Sequence, residues 1–175
     1  MAPSIRCQTY HFARDIIGRL RYQLTTDLVT NVTDLRLQGS RGVLFKLTDA
    51  LLGYTVVAKA TIRGCVEQLT HEVEVYNHLK PLQGTSVPVC LGLMELIEVF
   101  VHGIGRHLSH MMLVSYGGTS LQPLQNKMGP KMILVVGEGL TEKVERATRA
   151  LHKMGVFHKD LEPRNRWDYS RCKDH

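Results

Sequence analysis

The alternation of apolar and polar side chains predicts a series of short β-strands in the first part of the chain. Strand-like residues, many of them β-branched, recur between turns that contain glycine. Five segments follow this pattern: 32–37, 43–47, 54–60, 87–96 and 107–116. The first three are joined by short turns, and the last two flank a turn at 103–105. The pattern therefore predicts a five-stranded antiparallel sheet.

Apolar residues elsewhere recur at intervals of three and four, which indicates amphipathic helices. One is predicted near the N-terminus, where Phe12, Ile16 and Leu20 have helical spacing. A second is predicted over residues 66–79, where it stops before a proline, and a third over 141–154. The third has a threonine as candidate N-cap and a glycine just after its end.

The order of these elements predicts an α+β chain with three parts. Residues 1–30 form an N-terminal amphipathic segment, and residues 31–116 form a small lobe with five strands and one helix. Gly117 and Gly118 mark a hinge, because paired glycines interrupt regular structure. Residues 117–175 then form the beginning of a second, helical lobe.

Composition narrows the classes of partner and compartment. The chain has 175 residues, with 22 Lys and Arg against 16 Asp and Glu, and the net charge of +6 favours acidic partners such as nucleotide phosphates. Basic residues are dispersed and aromatic residues make up only 6%, which argues against a specific nucleic-acid surface. No apolar run approaches the roughly 20 residues that cross a bilayer.

The cysteines indicate a reducing compartment, and a cytoplasmic location is expected. Cys7, Cys65, Cys90 and Cys172 are far apart and form no C-x-x-C pair, so neither a disulfide framework nor a zinc site is predicted. The alternative is that the basic N-terminal segment is a transit peptide, because arginines are also typical of such peptides.

The strongest chemical signal is the loop that follows the third helix, His158-Lys159-Asp160-Leu-Glu-Pro-Arg164-Asn165. An Asp that can accept a hydroxyl proton stands five residues before an Asn that can ligate Mg²⁺, the arrangement of the H-R-D-x-x-x-x-N loop. The chain thus resembles the protein-kinase-like superfamily. The sequence of its motifs is most similar to divergent kinase-like proteins of filamentous fungi. The resemblance implies ATP and Mg²⁺ as cofactors, Asp160 as catalytic base, Asn165 as metal ligand and Arg164 as a charge near the γ-phosphate.

The same resemblance assigns roles to residues of the small lobe. Gly39 and Gly42 lie in the hairpin that would cover the phosphates, although two glycines three apart also suit a plain turn. Lys59, after Val and Ala, matches the lysine that holds the α- and β-phosphates. Ser115 and Gly117 stand where a hinge would bind the adenine edge.

The carboxylate that positions Lys59 can be chosen from the geometry of the second helix. Glu72 lies roughly 60° from the centre of the apolar stripe and Glu74 roughly 140°, so Glu72 faces inward. Two unrelated surface charges are the alternative interpretation of Lys59 and Glu72.

The match to the family is incomplete. Lys159 replaces an arginine, and Glu162 replaces a lysine. The D-F-G segment with the second Mg²⁺ ligand is expected beyond the last residue, which predicts a truncated domain with weak or no activity. The apolar stripe of the third helix would then lack its cover and favour a protein partner.

Two alternatives to a protein kinase are also consistent with the sequence. One is a non-catalytic nucleotide-binding or interaction module on the same scaffold, and another is a small-molecule kinase of the aminoglycoside-phosphotransferase kind.

Gly137 and Gly139 imitate part of a dinucleotide fingerprint without its third glycine. His102, His107 and His110 could ligate a metal, but strand-flanking histidines are the preferred interpretation.

Overall fold

The fold is taken from a computed structural model, which describes residues 5–26, 30–39, 42–103, 105–118 and 130–157. The helices are α1 (Ile5–Thr26), α2 (Val66–His78) and α3 (Pro130–Lys153). The strands are β1 (Val32–Gly39), β2 (Gly42–Thr48), β3 (Thr55–Ile62), β4 (Cys90–His102) and β5 (Arg106–Ser115). Short 3₁₀ turns at Arg63–Cys65 and Lys80–Leu82 flank α2.

The strands form one antiparallel sheet in the order β1-β2-β3-β5-β4. This result confirms the predicted five-stranded antiparallel sheet. The last two strands run further towards their shared turn than predicted, so that β4 reaches His102 and β5 begins at Arg106. Residues 97–101 contain an isoleucine, two valines and a phenylalanine, which are enriched in strands, so the greater length of β4 agrees with local propensity.

The described chain divides into two compact units. The first contains α1, the sheet and most of α2, and the second contains residues 78–88 and the part of the chain from Gly117 onward. No helix within the described ranges is long and apolar enough to cross a membrane.

The core of the first unit lies between α1 and one face of the sheet. Side chains spaced four apart on α1 meet alternate residues of the strands, because helix and strand periodicities each place one apolar face inward. The buried cluster consists of Ile16, Leu20, Leu24, Val43, Phe45, Leu47, Val56, Ala58, Ala60, Met94, Leu108, Met111 and Leu113. The helix predicted at the N-terminus is therefore part of the core.

Polar contacts also fasten α1 to the turn between β2 and β3. Arg19 Nε donates to Asp49 Oδ2 over 2.9 Å, and the Gln23 side chain bonds the backbone on both sides of Asp49. Asp49 is 1% exposed and also accepts from the amides of Leu51 and Leu52. Burial alone would raise the pKa of Asp49, but these donors outweigh it, so its pKa lies below the ordinary value.

In the second unit, α3 begins at Pro130, well before the predicted start at Thr141. Proline is favoured in the first turn of a helix, and the two glycines that follow in α3 each cost only about 1 kcal/mol relative to alanine. Gly137 and Gly139 thus lie inside a helix, and the strand-turn-helix context of a dinucleotide fingerprint is absent from this segment.

The end of α3 has the geometry predicted from Gly155. This glycine has φ 75°, and the amides of Gly155 and Val156 bond carbonyls of the last helical turn. His78 Nε2 donates to the Met154 carbonyl over 2.8 Å, since a carbonyl can only accept. The segment leading towards Asp160 therefore starts from a well-defined helix terminus.

Candidate nucleotide site

Strand alternation sets the position of Lys59. In β3 its neighbours Ala58 and Ala60 are buried in the core, so the Lys59 side chain projects from the opposite face of the sheet. Lys59 is paired with Leu44 on β2 and Met112 on β5, which places it in the middle of the sheet. Pairing on both sides therefore fixes the backbone of Lys59.

The ammonium of Lys59 forms a hydrogen-bonded ion pair with the carboxylate of Glu72 on α2. The pairing deduced from the apolar stripe of the helix is thus present. Glu74, by contrast, is 69% exposed and lies 3.6 Å from His71 on its own helix. An ammonium has three N–H donors, so one bond to Glu72 leaves capacity for oxygens of an anionic ligand.

A groove of about 520 Å³ lies beside this ion pair. Its lining includes Lys59, Thr61, Cys65, Gln68, Glu72 and Val75, all from the end of β3, the following turn and α2. The side chains of Lys59 and Glu72 are 36% and 34% exposed, so the charges are open to solvent and to a ligand. The lining also includes Glu67, so the groove has one lysine and two carboxylates among polar and apolar side chains.

One of the two glycines of the first hairpin, Gly42, lies close to Lys59. Gly39 and Gly42 pair with each other at the ends of β1 and β2. A Cβ on Gly42 would lie 2.9 Å from the carbonyl oxygen of Ala60 and 3.5 Å from Cγ of Lys59. Gly42 therefore permits a close approach of β2 to β3 at the lysine. Its role towards phosphate, proposed from the sequence, stays a prediction.

Ser115 is the last residue of β5 and is tied to the residue that precedes β4. Its amide donates to the carbonyl of Val89 over 2.8 Å, and its hydroxyl accepts from the amide of Val89 over 2.9 Å. The N–H of Ser115 thus already has a partner within the chain. Gly117 belongs to the second unit. The adenine-binding roles of both residues stay predictions.

Three of the predicted catalytic and metal-binding residues, Asp160, Arg164 and Asn165, lie outside the described residues. Their roles as base, phosphate-binding charge and metal ligand remain predictions from the motif. Across the ranges that the structure describes, no group of three or more His, Cys, Asp or Glu side chains could hold a metal ion.

The structure describes the surroundings of the three histidines that were considered as metal ligands. His102 Nε2 lies 2.9 Å from Asp34, and His110 Nδ1 lies 3.0 Å from the hydroxyl of Ser109. His107 is exposed on β5. Asp34 had no signal in the sequence, because its partner is distant in the chain.

Cys90 is a neighbour of the site that sequence reasoning missed. Burial raises the pKa of its thiol, and the negative charge of Glu72 raises it further against an opposing backbone hydrogen bond involving Gly92. The thiol is therefore protonated at neutral pH and is not a thiolate nucleophile. Only packing brings the first residue of β4 close enough to α2 for this effect.

Comparison with known proteins supports a fold assignment. No protein-family model matches the chain. The meiotic driver SPOK2 of Podospora anserina is 42% identical to it over 81 residues, which are 46% of this chain and 10% of that protein. Among solved structures, Rad53 in complex with AMP-PNP matches with a TM-score of 0.55 and 20% identity over 81% of this chain and 35% of the Rad53 chain.

Rad53 is a protein kinase, and the likeness to it shows the fold. The chain has a protein-kinase-like fold, in which the five-stranded antiparallel sheet and α2 form the small lobe. The predicted fold class is therefore confirmed. Because the chain spans only 10% of SPOK2 and 35% of the Rad53 chain, the similarity carries no activity over from either whole protein.

Proposed function

We propose that the chain binds the phosphates of ATP at Lys59 and takes part in phosphoryl transfer to a hydroxyl acceptor. The observation that carries this proposal is the Lys59–Glu72 ion pair beside the groove. In protein kinases, phosphate binding and transfer use a lysine whose ammonium is oriented by a carboxylate from the neighbouring helix.

The residues present fit a nucleotide. Lys59 supplies a cation, Glu72 orients it, and Gly42 keeps a side chain away from the place where the hairpin approaches the lysine. In the proposed reaction Asp160 accepts the proton of the attacking hydroxyl, and Arg164 stabilises charge on the transferred phosphoryl group. Asn165 would hold Mg²⁺, which neutralises the charge of the phosphate oxygens when it is bound.

Binding of Mg-ATP to the 175-residue chain tests the first half of the proposal. Calorimetry should give a measurable Kd, and Lys59→Ala and Glu72→Gln should each weaken it. Glu74→Gln is the matched control, because Glu74 is on the same helix and faces solvent. At a ligand concentration a hundred times Kd, binding should stabilise the fold by about 2.7 kcal/mol. Equal affinity in wild type and Lys59→Ala would contradict the assignment.

Transfer of the γ-phosphoryl group tests the second half. Incubation with ATP and a mixture of hydroxyl-containing peptides and small molecules should yield a phosphorylated product at a low rate, in line with the weak activity expected from the incomplete motif. Asp160→Asn should abolish this product while leaving Mg-ATP affinity unchanged. Binding without any transfer would favour the alternative of a non-catalytic nucleotide-binding module on the same scaffold.

A further inference from the structure

His102 and Asp34 connect the two edge strands of the sheet. The strand order places β1 and β4 at opposite edges, yet His102 Nε2 on β4 lies 2.9 Å from Asp34 Oδ2 on β1. The sheet must therefore curl so that its edges approach each other at this end, as twisted sheets do. An ionised carboxylate only accepts, so the imidazole Nε2–H donates to Asp34.

Aromatic packing holds the imidazole of His102 in place. Its side chain is 14% exposed. The ring packs edge-on against Phe45 at a centroid distance of 5.4 Å and lies 6.3 Å from Phe100. Phe45 and Phe100 also contact each other edge-on at 5.5 Å. The hydrogen bond to Asp34 is thus made by a ring with little freedom to turn away, which strengthens it relative to an exposed pair.

The same carboxylate organises the backbone of β1. Asp34 Oδ1 accepts from the amide of Arg36 over 2.7 Å, and Arg36 has φ 55°, a left-handed conformation that is unfavourable for a residue with a Cβ. The pairing of β1 with β2 shifts register between Asp34 and Gln38. Such a bulge persists only where surrounding contacts hold it.

The bulge leads directly into the glycine hairpin. Gln38 pairs with Val43 and Gly39 with Gly42, so the path of β1 through the bulge sets where the hairpin lies relative to β3 and Lys59. We propose that Asp34 and His102 are positioning residues that hold the bulge of β1 and thereby fix the glycine hairpin. The consequence for phosphate binding rests on the proposed function; the consequence for the hairpin does not.

Amide hydrogen exchange of the hairpin in the 175-residue chain tests the inference directly. Asp34→Ala and His102→Leu should each speed exchange of the Gly39 and Gly42 amides by roughly tenfold, because these two residues face each other in the hairpin and local opening is then less costly. His102→Gln should restore slow exchange, since the glutamine amide can donate from a similar position. Asp49→Ala is the control: it removes another carboxylate that holds backbone amides, at the other end of the β2 strand.

The outcomes separate this inference from the proposed function. The positioning role is supported if exchange becomes faster only in the hairpin in Asp34→Ala and His102→Leu, and if His102→Gln restores slow exchange. Unchanged hairpin exchange in Asp34→Ala, or an equal change in Asp49→Ala, overturns it. If hairpin exchange changes as expected and the affinity for Mg-ATP weakens in the same variants, the positioning role and the proposed function both hold. If the hairpin responds but the wild-type chain binds no Mg-ATP, the positioning role stands and the proposed function fails.

Discussion

The Lys59 ammonium and the Glu72 carboxylate, thirteen positions apart in the chain, form an ion pair while each side chain stays about one-third exposed. Solvent screens such a pair, and comparable pairs contribute about 0–1 kcal/mol to folding. The ion pair is therefore not what fastens α2 to the sheet. In the proposed function, the ion pair orients the Lys59 cation beside the groove.

We expect the substitutions Lys59→Ala and Glu72→Gln to leave the fold almost unchanged. Each should alter the free energy of unfolding by no more than about 1 kcal/mol, because the pair is partly exposed. Urea denaturation of the two variants and of Glu74→Gln measures this. A loss several times larger would mean that the pair is structural and that the binding test cannot isolate the phosphate contact.

Gly42→Ala should destabilise the sheet even without any ligand. A Cβ there would lie 2.9 Å from the backbone oxygen of Ala60, and backbone cannot move aside cheaply. Overpacking of this kind costs about 1–3 kcal/mol. The control is Gly64→Ala, where nothing lies within 4 Å of the added atom and no left-handed φ is required. Equal unfolding midpoints for the two variants would show that β2 and β3 can separate at this point.

The turn between β2 and β3 should require glycine for a different reason. Gly53 has φ +66°, and nothing lies within 4 Å of a Cβ built on it. Gly53→Ala should therefore cost about 1–2 kcal/mol through backbone strain alone. Gly18 lies inside α1, and nothing is within 4 Å of a Cβ built on it. Gly18→Ala should therefore stabilise the fold by about 0.5–1 kcal/mol, because alanine favours the helix. Thermal unfolding of the two variants should show shifts of opposite sign.

Removal of a single α1 side chain should show that this helix belongs to the core. Leu20 is completely buried, and Leu20→Ala should cost about 2–5 kcal/mol through lost burial and a residual cavity. Tyr22 is on the same helix and 69% exposed, so Tyr22→Ala should change stability much less. Similar small losses for both variants in urea would mean that α1 only rests on the sheet.

The stability of the fold should decrease in acid partly because of Asp49. Its pKa in the folded chain is below the ordinary value of 3.8, so its contribution is complete above that value and is lost as the pH falls through the folded pKa. Free energies of unfolding measured from pH 6 to pH 2 should fall less steeply in Asp49→Asn than in wild type. Parallel curves for the two proteins would show that the carboxylate has no favourable partners in the fold.

Local sequence was sufficient for the parts of the fold that depend on periodicity. Alternating burial along β2 and the inward face of α2 were both predictable, because a side chain's direction follows from its position in a regular element. The start of α3 was predicted wrongly, since Thr141 was the candidate N-cap and the helix begins at Pro130. Neighbouring helix-forming residues and the proline at the start outweigh two interior glycines, and that balance depends on the whole segment.

The sequence by itself determined the antiparallel strands, the inward face of α2 and the choice of Glu72 as the partner of Lys59, because each of these follows from a repeat of two or 3.6 residues. Tertiary structure alone decided that His102 meets Asp34, that Cys90 lies near Glu72 and that Ser115 bonds Val89. Those contacts join residues far apart in the chain. They depend on how the sheet curls and how the helix packs, and no local pattern encodes that geometry.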